Sequence, residues 1–357
     1  MKKKQYLLLI ASICTGLLFF PTSCQKEFNP RDKYKDITIV YGLINPLETI
    51  HYIRIHKAFL DSESVVIIAQ DPDASTFPVE DIDVRIYEIT PDGNSAQLTV
   101  KDTIIHNKDT GIFYAPEQRV YYFKKKFHIQ HLENTIKIEV EHKKTGKIIY
   151  AETPLINDFE VTIPRPEMQV NFNPAPTPMR FEWNNAKNGR LYDFYYILYY
   201  REGRNIDPSD VWKKDSMVWH VGSYSAPKTG DGEAQIETFH FNSAWFYEEI
   251  RKTIPYDTSV WRRPYIQAKI RFWAGGEDMY YYNLINGTPR PTPDIPEYTN
   301  LKAKLNDVEL ENEAFGIFSS RIARDVYIRL SDYTMMIYLP DRELVNRQFI
   351  PVPVVVD

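Results

Sequence analysis

Short runs of alternating apolar residues, separated by turn signals, predict a mostly β chain built as two tandem β-sandwich domains with a few short helices in the second. Two features of the composition agree. Aromatic residues make up 14% of the 357 residues, with 25 Tyr and 19 Phe, and such side chains favour the pleated, half-buried surface of a strand. Apolar residues reach 43% at a mean hydropathy of −0.42, which excludes a disordered tail, collagen and a multi-span membrane protein. Two cysteines are too few for a disulfide scaffold. With 43 basic against 48 acidic residues the net charge is −5, and no nucleic-acid partner is expected, because phosphate neutralisation needs a basic excess or face.

Each element has a local reason. Residues 37–157 form the first domain. Ile37, Ile39, Tyr41 and Leu43 alternate, Asn45-Pro46-Leu47-Glu48 turns the chain, and Ile53 and Ile55 return opposite Arg54 and His56. Ile82, Val84 and Ile86 alternate up to the turn at Pro91-Asp92-Gly93-Asn94. Ile136, Ile138 and Val140 alternate up to Lys144-Thr145-Gly146, which leads into a strand over 147–151.

Pro164, Pro166, Pro174, Pro176 and Pro178 open a second domain over residues 158–345, with 346–357 as a tail. After a strand at 179–183, Tyr192, Phe194, Tyr196 and Leu198 share one face and Tyr195, Ile197 and Tyr199 the other, as in a strand covered on both sides. In the strand at 264–273, Ile266, Ala268, Ile270 and Phe272 face one way, while Gln267, Lys269 and Arg271 face the other. Asn242 or Ser243 caps a helix through Trp245 and Tyr247 to Lys252, with Pro255 beyond it. A second helix carries Glu277 and Asp278 in its first turn and stops at Asn286-Gly287. Further strands are expected at 326–330 and 335–339. The order of a Trp-bearing strand, a Tyr-rich strand and a late alternating strand resembles immunoglobulin and fibronectin type III sandwiches, at the level of fold alone.

The N-terminus carries an address. Lys2, Lys3 and Lys4 precede an apolar run over residues 6–20, of secretory-signal length and too short for a stable span. The run closes on Pro21-Thr22-Ser23-Cys24. Small residues just before a cysteine resemble the lipobox of bacterial lipoproteins, with Pro21 where Leu is usual. The resemblance implies that residues 1–23 are a lipoprotein signal peptide and that Cys24, heading a tether over 24–36, is acylated on its sulfur and its new amine. Cys14 lies within the apolar run behind the bulky Ile13 and does not fit. Cleavage before Cys24 leaves only that thiol, so no disulfide is expected, and no cofactor beyond the covalent lipid. Acyl chains contribute about 0.8 kcal/mol per buried methylene, and more than one gives stable anchoring.

Gln25-Lys26-Glu27 is similar to the Gln-Lys-acidic signal of Bacteroidetes lipoproteins exported to the outer face of the outer membrane. It implies a lipid-anchored outer-membrane protein facing the cell exterior, with a periplasm-facing orientation as the alternative. Three further stretches point the same way. They are Val40-Tyr41-Gly42-Leu43-Ile44-Asn45 with Ile53-Arg54-Ile55-His56-Lys57-Ala58-Phe59-Leu60, then Gly111-Ile112-Phe113-Tyr114-Ala115-Pro116, and finally Pro296-Glu297-Tyr298-Thr299-Asn300 with Gly316-Ile317-Phe318-Ser319-Ser320-Arg321. Together they resemble an uncharacterised Bacteroidetes lipoprotein family of unknown function, which implies an origin and an anchor rather than a chemistry.

No constellation of catalytic residues stands out. His128 and His131 are three apart, but no Cys or paired acid completes a metal site near them. Asp71, Asp73, Asp81 and Asp83 lack the Gly and final Glu of a calcium loop. His240 with Glu248 and Glu249 lacks a His-Glu-x-x-His pattern, and no Gly-x-Ser-x-Gly elbow, phosphate loop or dinucleotide fingerprint is present. No metal site and no enzyme activity are therefore expected. Most aromatics of the second domain are expected to pack between sheet and helices. Trp212 and Trp219, flanking Lys213-Lys214-Asp215, are the candidates for exposed ligand stacking.

The expected function is a lipid-anchored, non-enzymatic envelope protein that binds a ligand or partner protein of an uptake or assembly system, an outer-membrane transporter or surface protein among them. A carbohydrate-binding or glycan-degrading lipoprotein and an adhesin or fimbria-like subunit are the alternatives.

Overall fold

The alternation at the start of the first domain becomes a hairpin, β1 (Thr38–Ile44) and β2 (Ile50–Lys57), with Val40, Ile44, Ile53 and Ile55 on its buried face. This computed structural model describes residues 37–58, 75–106, 117–127, 133–204, 212–227, 235–287, 297–340 and 344–350, within one compact unit spanning 36–357. The strands that follow in the first half are β3 (Ile82–Ile89), β4 (Ser95–Leu98), β5 (Val100–Ile105), β6 (Gln118–Lys124), β7 (Thr135–His142) and β8 (Ile148–Pro154). Then come β9 (Val161–Ile163), β10 (Gln169–Val170), β11 (Pro178–Asn184), β12 (Leu191–Glu202), β13 (Lys213–Ser225), β14 (Ile236–Asn242) and β15 (Arg263–Gly275). The last are β16 (Lys302–Leu305), β17 (Val308–Leu310), β18 (Ala314–Leu330) and β19 (Phe349–Ile350), and the α-helices among the described residues are α1 (Trp245–Thr253) and α2 (Glu277–Asn286). Among the described residues no helix is long and apolar enough to cross a membrane.

The chain is mostly β and sandwich-like. One long sheet runs β13-β12-β15-β18-β1-β2-β6-β5, with β10 added beside β18 and β19 beside β15. Its β1, β2 and β6 end packs on a second sheet, β17-β16-β8-β7-β3-β4, over a core that includes Val40, Ile53, Phe123, Ile138, Val140 and Ile149. Its other end packs on a small sheet, β14-β11-β9, and on α1. The core there is aromatic: Trp183 is fully buried, with ring centroids 5.0 Å from Tyr192 and 5.1 Å from Phe194. Many aromatics of the second half thus fill a sandwich core, Phe181, Phe241 and Phe272 among them.

The two cores do not divide at residue 157. Leu301, Ala303, Ala314 and Phe318 belong to the first core, and β18 runs on through Ile322, Val326, Ile328 and Leu330 into the second. Residues 314–320 of β18 pair in parallel with β1, and residues 321–328 pair antiparallel with β15. A parallel neighbour needs a long crossover, and here that crossover contains nearly the whole chain. Gly316 makes the pairing sterically feasible: its φ is +101°, and a Cβ there would lie 2.1 Å from the Val40 carbonyl oxygen. The tail expected from 346 onward also takes part, with Phe349 buried and β19 pairing with β15.

Two local expectations are corrected. Residues 335–339 are helical rather than a strand. Tyr333–Tyr338 makes a wide helical turn with Leu339 N–H donating to the Thr334 carbonyl at 2.9 Å, and buried Thr334 accepts from Phe172 N–H at 3.0 Å. Met335, Tyr338 and Leu339 thereby reach the second core at helical spacing. At α1, Ser243 does not cap the helix. Its hydroxyl is buried, donates to the Asn173 carbonyl at 2.7 Å and accepts from Thr177 N–H at 3.1 Å, while Asn242 accepts from Ala244 N–H at 2.9 Å.

Candidate functional site

Alternation along β12, β15 and β18 turns one set of side chains away from the second core. On that outer face Asp193 stands beside Trp273 and Tyr195 beside Arg271. Across the next pair, Arg271 stands beside Asp325 and Gly275 beside Arg321. Helix α2 begins directly after β15 and lies against β18 and β12. The approach is close: a Cβ at Gly275 would lie 2.7 Å from the Met279 sulfur. Sheet and helix enclose a cleft of about 110 Å³ lined by Asp193, Tyr195, Trp273, Gly275, Met279 and Arg321.

Side-chain amides secure the helix. Asn286 donates to the Tyr298 carbonyl and accepts from its N–H, both at 3.0 Å, and the Tyr298 hydroxyl donates to Asp278 at 2.8 Å. Asn300 does the same for Phe318, donating to its carbonyl at 2.7 Å and accepting from its N–H at 3.0 Å. The Tyr41 hydroxyl meets Tyr282 of α2, and burial together with that contact raises its pKa to about 12. The stretches around 40–45, 297–300 and 316–321, distant in sequence, therefore meet around α2. Residues 111–116 lie outside the described residues.

The charges of the outer face fall into two groups. Asp325 accepts from both arms of Arg271, at 2.6 and 2.8 Å, and from Lys269 at 2.8 Å. Burial alone would raise the Asp325 pKa, but these two cations outweigh it and hold the carboxyl below its ordinary range. Arg321 has no such partner among the described residues. Its guanidinium carbon sits 4.5 Å from the Trp273 ring centroid, and its Nε is buried with no acceptor among the described residues. Burial pushes its pKa down, and Glu48 opposes that only through longer-range attraction. Asp193 is held through one oxygen, accepting from the Ser223 hydroxyl at 2.5 Å with His220 Nε2 at 3.6 Å. The cleft thus offers a cation stacked on indole at one side and a carboxylate at the other.

Of the residues singled out from sequence, Cys24 lies outside the described residues, as do His128, His131, Asp71 and Asp73. Trp219 is corrected: it is only 5% exposed and packs beside Tyr196, Phe241 and Phe246, so it presents no face to a ligand. Its position on the inward face of β13 decides this. Trp212 is half-buried, but its ring covers Gly203 and carries Arg262 at 4.5 Å. Asp81 is paired with Lys144 at 2.7 Å and Asp83 stands 3.4 Å from Arg85. His240 and Glu248 are exposed, and Glu249 accepts from Thr253 at 2.8 Å. Among the described residues no three His, Cys, Asp or Glu gather where they would hold a metal. Sequence reasoning did not single out Arg321 and Trp273. Arg321 ends one of the stretches that carry the family resemblance, and Trp273 ends the clearest alternating strand.

No family model matches the chain, and no curated protein matches it. Solved structures that align with it include the crystal structure of CBD12 from CALX1.2, at 10% identity over 82% of this chain and 100% of that one, with a TM-score of 0.17. The calcium binding domain CBD12 of CALX1.1 aligns at 9% identity over 82% and 99%, with a TM-score of 0.16. At such scores neither carries an argument about this chain.

Proposed function

We propose that this chain is a lipid-anchored, non-enzymatic protein of a bacterial outer membrane that holds a ligand for an uptake or assembly system in the cleft between α2 and the long sheet. The observation that carries the ligand-holding reading is Arg321, a partly buried guanidinium over Trp273 with no ion pair among the described residues and only the longer-range attraction of Glu48. Taking a cation out of water without a partner is costly, and a bound ligand supplying the missing acceptors offsets that cost. The lipobox-like stretch ending at Cys24 supports the anchor. An anchored binder works by raising the local concentration of what it holds next to its neighbours in the membrane.

The anchor is tested by labelling cells with a palmitate analogue. The native chain takes up label and fractionates with the envelope, and Cys24→Ser does neither. A Cys24→Ser chain that is still labelled and still envelope-bound overturns the anchor. External protease on intact cells tests orientation: digestion of the chain supports an outward face, and protection beside a digested surface protein overturns it.

A further inference from the structure

Resting on the reading of the cleft as a ligand site, we propose that it takes a single acidic sugar of the uronic acid class, its carboxylate on Arg321 and a ring hydroxyl on Asp193. Four features of the cleft lead there. First, a guanidinium lying flat on an aromatic ring keeps its in-plane N–H groups free, and their fork matches the two oxygens of a carboxylate. The guanidinium carbon of Arg321 lies over Trp273, 4.5 Å from the ring centroid, and its buried Nε has no acceptor among the described residues. Its neighbour Arg271, 5.5 Å from the centroid of the same ring, is instead paired with Asp325 through two bonds.

Second, the opposite wall is an acid. Asp193 uses Oδ1 for Ser223, and no described residue donates to its Oδ2. An ionised carboxylate only accepts hydrogen bonds, so the ligand must present a donor there. Inorganic phosphate or a dicarboxylate would set negative charge against Asp193, and a neutral sugar would leave Arg321 without an anion. One anion with adjacent hydroxyls satisfies both walls.

Third, the cleft volume of about 110 Å³ is below the roughly 150 Å³ of a cavity that takes benzene, so it admits one sugar ring only in part, with the rest of the ring in solvent. Tyr195 and Met279 give that ring apolar surface, as a pyranose requires. Fourth, Asp193 and Arg321 stand on strands separated by β15 and are offset by two residues along it, a backbone separation of about 12 Å. The two charges of an amino acid share one carbon and do not match that spacing.

The test is a saturation-transfer NMR titration of the full lipidated chain in detergent with D-glucuronate and D-galacturonate, against glucose, alanine and inorganic phosphate. At least one uronate is expected to bind at least tenfold more tightly than glucose, alanine or phosphate. Arg321→Met and Asp193→Asn are each expected to weaken it at least tenfold, while Trp212→Phe leaves it unchanged. Should Arg321→Met fail to fold, the ligand comparison on the native chain and the isosteric Asp193→Asn still decide.

Absence of uronate binding overturns the inference. So does equal binding of glucose or preferential binding of alanine. Uronate binding that survives both substitutions overturns it as well. Phosphate or alanine binding lost in Arg321→Met would overturn the acidic-sugar assignment alone and leave the cleft a ligand site. Loss of the Cys24 anchor in the labelling experiment would remove the envelope reading without touching this titration.

Discussion

Asn300 gives the sharpest test of how the cleft is built. Its amide stands in for a neighbouring strand, bonding both the N–H and the carbonyl of Phe318 at 3.0 and 2.7 Å. Phe318 is fully buried, so in Asn300→Ala no water reaches the two groups left behind. An unsatisfied buried backbone group costs about 1–3 kcal/mol, which places the loss at about 4 kcal/mol for the pair. A chain of this size loses about 2 °C of melting temperature per kcal/mol, so a fall of about 8 °C is expected by scanning calorimetry of the full chain. Asn286→Ala removes the equivalent pair of bonds to Tyr298, which is only partly buried. Water replaces much of what is lost there, and about half the fall is expected. If Asn300→Ala melts within about 2 °C of the native chain, or if Asn286→Ala falls further, the reasoning from buried, unsatisfied backbone groups is wrong.

Two further predictions follow from buried charge. Arg263 is 1% exposed and donates to Glu202 through Nε at 3.0 Å, and Glu202→Ala leaves that cation without its acid. Breaking such a pair costs about 3–5 kcal/mol, and the double variant Glu202→Leu with Arg263→Met should lose less than Glu202→Ala alone in urea unfolding. Burial raises the Asp278 pKa more than the hydrogen bonds from Tyr298 and Asn300 lower it. The folded chain then holds the proton to higher pH than the unfolded chain, so stability falls as pH rises through that interval. Asp278→Asn should accordingly raise the melting temperature more at pH 7 than at pH 3, and an equal or opposite shift would refute the sign.

Much of the strand framework was legible because its signals are local. The alternation at 136–140 and the Lys144-Thr145-Gly146 turn become β7, β8 and the loop between them. Likewise, Glu277 and Asp278 at the start and Asn286-Gly287 at the end bound α2. Local signals failed at residues 335–339, where Thr334 bonds to Phe172 and Asn171 from a distant loop select a helical turn over a strand. They also failed at Trp219. A tryptophan beside charged residues reads as exposed, but the pleat of β13 turns it toward Phe241 and Phe246. The cleft was not legible at all, since Trp273 and Arg321 become neighbours only through the pairing of β15 with β18.

The amino-acid sequence by itself determined the class of fold, the positions of most described strands and helices α1 and α2, because period and turn chemistry act over a few residues. Only the tertiary structure decided that the chain's late strand enters both cores and that Arg321 lies over Trp273 with no ion pair among the described residues. The physical reason is that parallel pairing of β1 with β18 depends on the absence of a Cβ at Gly316 and on contacts between residues far apart in the chain. No window of sequence contains both partners of such a contact.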